Sequence, residues 1–111
     1  VRARGVEFDV LGLSCYTAYQ GEPEIWEDTF AQLASNLAGL DFVIAEYNPE
    51  RTRANQIVRA LPDDRGRGTF FWEPTLGGAW GSPLFTFVNG VYRANDADFA
   101  EFDALRPELG H

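Results

Sequence analysis

The chain has 111 residues, the size of one domain, and 45% of them are hydrophobic, enough for a core and too many for wholesale disorder. Nine Lys and Arg stand against 17 Asp and Glu, a formal net charge of −8 that argues against nucleic-acid phosphates or anionic lipid and suits a neutral ligand. Cys15 is the only cysteine and His111, the last residue, the only histidine. These counts exclude an intrachain disulfide and a Cys-based zinc site, disfavour a histidine triad, and lead us to expect no metal or cofactor.

Residues 6–16 (VEFDVLGLSCY) alternate at Val6, Phe8 and Val10 and then turn almost wholly apolar, which predicts a strand entering a core. Asp9 lies deep in that strand on this reading, with a structural hydrogen bond to backbone. After the polar break YQGEPE, apolar residues recur at Trp26, Phe30, Leu33 and Leu37, a helical stripe that Gly39 would end in a left-handed turn. Phe42 to Ala45 form a continuous apolar run that stops at Glu46, as expected of a buried parallel strand over 41–46. Asn48 and Pro49 read as the cap and first residue of a helix carrying Ala54, Ile57, Val58 and Leu61 on one face, ended by Pro62. DDRGRG reads as a polar turn, and residues 68–73 as a third strand that again stops at a glutamate, Glu73. A glycine-rich loop follows (Gly77, Gly78, Gly81), then a hairpin over 84–92 about Asn89-Gly90 and a last helix over 96–105, capped by Asn95, with Phe99, Phe102 and Leu105 inward.

The alternation of strand and helix calls for an α/β fold with parallel strands and right-handed crossovers. Tyr16, Glu46 and Glu73 all fall where a strand hands over to a loop, the rim at which (β/α)₈ barrels build their sites. A whole barrel takes roughly 250 residues, so residues 1–111 would form a single region supplying part of one. A chain that begins at Val1 and contains no methionine is in keeping with a fragment or processed product. No apolar run approaches membrane-spanning length, and no leader peptide opens the chain, although in a fragment that says nothing about export.

Three motifs, FDVLGLSCYTAYQG, DFVIAEYNP and GTFFWEP, resemble in order, spacing and type the C-terminal part of the arabinogalactan endo-β-1,4-galactanases, glycoside hydrolase family 53. SPLFTFVNGVYR resembles the tail of that family. Cys15 and Thr17 replace its usual tyrosine and proline, Gln20 stands where a histidine is common, and AEYNP differs from its usual VETAYP. The resemblance implies barrel strands six to eight, present as a C-terminal fragment, with the N-terminal part of the barrel missing. It also implies a secreted retaining hydrolase of β-1,4-galactan or arabinogalactan-type polysaccharide.

By that resemblance Glu46 is the catalytic nucleophile; the pattern alone allows a strand-end carboxylate that simply meets solvent. A carboxylate of this kind attacks the anomeric carbon while a second carboxylic acid, about 5–5.5 Å away, protonates the leaving oxygen. In the family that acid follows an asparagine at the end of strand four, and no position here matches it, so this chain alone is not expected to be a complete catalyst. Trp72 is implied as an apolar platform at the cleaved sugar, followed by a cis Trp72-Glu73 bond. Tyr16 would donate to Glu46 or pack as a rim aromatic, and Glu73 would anchor the strand end or bind ligand. Tyr19 and Trp80 are loop aromatics that could stack on sugar, though packing against the barrel is their commoner fate. Trp26 reads as core, Cys15 as a small buried residue, and Arg51, Arg53 and Arg59 as a solvated helix face. Two other readings stay open: a carbohydrate-binding or interaction module without catalysis, and an inactive barrel fragment or small open α/β domain.

Overall fold

The structure, a computed structural model, describes residues 5–75 and 81–109, with side chains of the last helix as far as Arg106. The strand β1 (Val10–Cys15) leads into a single helical turn, α1 (Thr17–Gln20), and then into α2 (Pro23–Asn36). The strand β2 (Asp41–Tyr47) is followed by α3 (Arg51–Arg59), and β3 (Gly66–Phe71) by the hairpin β4–β5 (Phe85–Val88 and Val91–Ala94) and by α4 (Asp96–Leu109). β1, β2 and β3 form one parallel sheet in that order. Each neighbour in space is the next strand in the chain. Right-handed crossovers then put α2 and α3 on the same face.

Packing bears this out. Phe42 and Ile44 of β2 are fully buried in one cluster with Trp26, Phe30 and Ala34 of α2 and with Ala54, Ile57 and Val58 of α3. Phe30 and Phe42 meet edge to face at 6.2 Å, and each such ring contributes roughly 1.5–3 kcal/mol by leaving water. The opposite face of the sheet is bare. Val10 and Phe70 are 48% and 63% exposed, and Gly12 and Ala45 between them are exposed as well. The radius of gyration, 15.7 Å, exceeds the roughly 13 Å expected of a filled domain of this size.

Several local readings are corrected. β1 begins at Val10, where pairing with β2 starts opposite Asp41; Val6 and Asp9 before it are exposed, although the Asp9 carbonyl does accept from Asp41 N–H at 3.0 Å. The helix after β2 starts at Arg51, not at Pro49. Its cap is Glu50, in the left-handed region at φ 59° with no side-chain cap bond. DDRGRG is not all turn: a short 3₁₀ segment, Pro62–Asp64, ends it early and β3 starts at Gly66. Gly66 passes so close to α3 that a Cβ there would stand 1.8 Å from the Val58 carbonyl oxygen. The helix α2 stops at Asn36, and Gly39 sits in the following turn at φ 82°.

Arg65 explains that earlier stop. Its guanidinium donates to the carbonyls of Ala34 (2.8 Å), Leu37 (2.6 Å) and Leu40 (2.8 Å) and lies over the Phe42 ring at 5.3 Å. The unpaired C-terminal carbonyls of a helix want a positive donor, and Arg65 supplies one from across the sheet. The hairpin turn is as read from the sequence: Asn89 and Gly90 both take positive φ, 49° and 80°. Asn95 precedes α4 as expected, but its side chain accepts from Thr86 and donates to the Pro83 carbonyl, tying down the hairpin.

Candidate functional site

Because the three strands run parallel, Cys15, Tyr47 and Phe71 end at one edge of the sheet, where α/β folds place their ligands. What aims Glu46 there is a break in register. Leu13 pairs with Ile44, but the next residue of β1, Ser14, pairs with Glu46, leaving Ala45 as an extra residue. The alternation of β2 changes accordingly: Phe42, Ile44 and then Tyr47 are buried against the helices, and Glu46 comes off that face, half-buried. Without this bulge Glu46 would point with Phe42 and Ile44 into the core.

Tyr16 follows β1 directly, 6% exposed, and its hydroxyl donates to Glu46 Oε2 at 3.4 Å. That is long against the usual O–H···O distance of about 2.7–2.8 Å. The Tyr16 backbone is fixed by α1: its N–H donates to Gln20 Oε1 (2.8 Å), and its carbonyl accepts from Tyr19 and Gln20 (3.0 and 2.8 Å). Burial, then the charge and hydrogen bond of Glu46, then the charge of Glu73, push the Tyr16 phenol up to about 12. Tyr16 and Glu46 thus meet at this edge of the sheet, and the Glu73 carboxylate is near enough for its charge to act on the phenol.

Behind Glu46 a buried network holds β2. Asn55 Nδ2 donates to the Tyr47 hydroxyl (3.1 Å), and Thr69 Oγ1 donates to Asn55 Oδ1 (2.9 Å) while lying 3.2 Å from the same hydroxyl.

The remaining predicted residues divide. Trp72 stands just past β3, 41% exposed, and its backbone N–H donates to the Tyr47 carbonyl at 2.8 Å. The peptide bond after it is trans; the bend there is made by Glu73 at φ 55°. Tyr19 is 70% exposed on α1 rather than packed against the sheet. Trp80, like Gly77 and Gly78, lies outside the described residues. Trp26 is core, 2% exposed. Cys15 is buried, and burial pushes its thiol up to about 11, so it is a poor nucleophile. Arg53 and Arg59 pair on the surface with Glu27 and Asp64. Arg51 is not on a solvated face: it is 6% exposed and paired with Asp98.

Sequence reasoning missed Asn48 and Arg51, because Asn-Pro ahead of a helical stripe looks like a cap and an arginine on a helix looks solvated. A groove of about 370 Å³ between α2 and α3 is lined by Glu27, Ala31, Ala34, Ile57 and Leu61 and lies on the helix layer, away from Glu46 and Glu73. Among the described residues no group of three His, Cys, Asp or Glu is arranged to hold a metal, and no helix is long and apolar enough to cross a membrane. No family model matches the chain, and no curated protein or solved structure is significantly similar to it.

The raised pKa values give the first testable consequence. An acid whose folded pKa lies above its unfolded value adds stability that is complete below the unfolded pKa and disappears as pH rises through the folded one. For Tyr16 the window runs from the ordinary value of 10.0 to about 12. The stability difference between wild type and Tyr16→Phe, measured by urea unfolding, should be flat below pH 10.0 and shrink as pH rises from there toward about 12. A difference that stays flat to pH 12 would remove Tyr16 from the buried, negatively charged setting described here.

Proposed function

We propose that the chain is the C-terminal portion of a retaining glycoside hydrolase of the endo-β-1,4-galactanase type, family 53, acting on β-1,4-galactan or arabinogalactan-type polysaccharide. On this reading β1, β2 and β3 are strands six to eight of a (β/α)₈ barrel. Their sequential parallel order, helices on one face and a bare opposite face support it, since barrel strands meet the rest of the sheet at both edges and face the interior. The observation that carries the function is the meeting of Tyr16 with Glu46 at the C-terminal edge of that sheet, beside Glu73.

Glu46 would attack the anomeric carbon to form a glycosyl-enzyme ester, which water then hydrolyses. The Tyr16 phenol, held protonated, would donate to the carboxylate and keep one oxygen free to attack. Trp72 would present a ring to the apolar face of the sugar. The proton for the leaving oxygen comes from a carboxylic acid that this chain does not supply.

An activated leaving group makes that acid unnecessary, so the nucleophile can be tested alone. A 2-deoxy-2-fluoro-β-galactoside of dinitrophenol should label Glu46, seen as one adduct on the peptide containing it. Labelling of Glu73 or of another residue would overturn the assignment. The second reading, a carbohydrate-binding module, is favoured by the exposed aromatics Trp72 and Tyr19 and by the Phe87–Tyr92 pair on the hairpin (4.9 Å). It predicts oligosaccharide binding with no label at all.

A further inference from the structure

Asn48 and Arg51 are the most deeply buried polar side chains near the site, at 1% and 6% exposure. Asn48 lies in the turn that leaves β2 just past Glu46, a turn bent by the left-handed Glu50, and Arg51 opens α3 immediately after it. Both reach the same place. Asn48 Nδ2 donates to the Trp72 carbonyl at 3.0 Å, and its Oδ1 lies against Gly81, where a Cβ would be 1.8 Å from it. Arg51 lies over the Phe71 ring at 4.8 Å and donates to the Ser82 carbonyl at 2.6 Å, while its other nitrogen holds Asp98 of α4. Asn48 thus touches both ends of the stretch that runs from Trp72 to Gly81, and Arg51 touches the residues that flank it, Phe71 and Ser82.

This arrangement is not what stability alone would select. Asn48 Oδ1 is buried without a hydrogen-bond partner, and so costs free energy that a smaller apolar residue would not. A buried guanidinium carries a desolvation cost that apolar packing avoids. Strain and unsatisfied polar atoms gather where geometry is being held for another purpose.

We infer that Asn48 and Arg51 are positioning residues that clamp the two ends of the segment beginning at Trp72, and so fix where its ring stands relative to the strand carrying Glu46. The inference rests on the glycosidase reading for its purpose, but the clamp is a geometric claim with its own readout. Glycine at position 81 is part of it, since its φ of 145° and its contact with Asn48 both exclude a side chain.

The test uses this chain with nitrogen-15 in its indoles and Trp72→Phe to assign the Trp72 signal. Asn48→Ala and Arg51→Lys should each move or broaden that signal while the Trp26 signal, from the core, stays in place. Lysine keeps a charge for Asp98 but cannot also stack on Phe71 and reach Ser82. A control, Phe30→Leu, should lower the unfolding midpoint without moving Trp72. Affinity for β-1,4-galactotriose should weaken about fivefold or more in both clamp variants, the scale of one lost hydrogen bond. Should Asn48→Ala fail to fold, Arg51→Lys decides the matter by itself. An unmoved Trp72 signal in folded Arg51→Lys overturns the clamp. Galactotriose affinity is read in the enzyme these strands complete; a wild-type enzyme that ignores galactotriose overturns the glycosidase reading instead, and the indole signals still decide the clamp.

Discussion

Glu46→Gln should lower hydrolysis of activated aryl β-galactosides by roughly 10⁴-fold or more, the scale on which loss of an enzyme nucleophile acts, in the enzyme these strands complete. The amide keeps the shape of the carboxylate and can still accept from Tyr16, so the fold and the 3.4 Å contact should persist. What it lacks is an ionised oxygen able to form the glycosyl ester. Two further results separate this role from that of a general acid. With Glu46→Ala, added azide should attack the anomeric carbon in place of the carboxylate, expel the phenolate and leave an α-glycosyl azide; a β-azide would mark Glu46 as the acid/base. In Glu46→Gln the Tyr16 phenol should titrate lower than in wild type but still above 10.0, because burial is the larger cause of its shift and Glu46 the next. Hydrolysis by Glu46→Gln within tenfold of wild type, a change of about 1.4 kcal/mol in the barrier, would end the assignment.

Much of this framework is legible in the sequence because it follows from local pattern. The stripe Ala54, Ile57, Val58 and Leu61 is buried as its spacing requires, and Asn89-Gly90 turns the hairpin because both residues accept positive φ. What was not legible depends on partners distant in the chain. Nothing in DFVIAEY says that Ala45 is an extra residue; simple alternation puts Glu46 on the same side as Ile44, and only pairing with β1 shows the bulge that turns it away. Asn48-Pro49 obeys a helix-capping pattern, yet Asn48 spends its amide on Trp72, 24 residues later. Arginine is a surface residue by default, and only the carbonyls and carboxylate around them make the burial of Arg51 and the partial burial of Arg65 tolerable. The candidate site is legible at its strand ends and its supports are not, because strand ends are local, whereas supports are tertiary.

Arg65→Ala should produce the largest loss of stability among single changes outside the apolar core, about 2–4 kcal/mol. Hydrogen bonds from a charged donor contribute roughly 1.5–3 kcal/mol each, and Arg65 makes three of them. The sum is discounted because Arg65 is half-exposed and water can replace part of what is lost. The carbonyls of Ala34 and Leu37 close α2, and the Leu40 carbonyl starts the approach to β2; without Arg65 nothing among the described side chains bonds these three together. On heating, a loss near 3 kcal/mol corresponds to roughly a 10–20 °C lower midpoint. Arg65→Lys should recover less than half of it, since an ammonium can meet these carbonyls but cannot span all three while lying flat on Phe42. Hydrogen exchange locates the effect: amides in the last turn of α2 should lose protection before those in α3. A loss under about 1 kcal/mol for Arg65→Ala, with α2 still protected to its end, would show that α2 closes by its own turn and that Arg65 only decorates it.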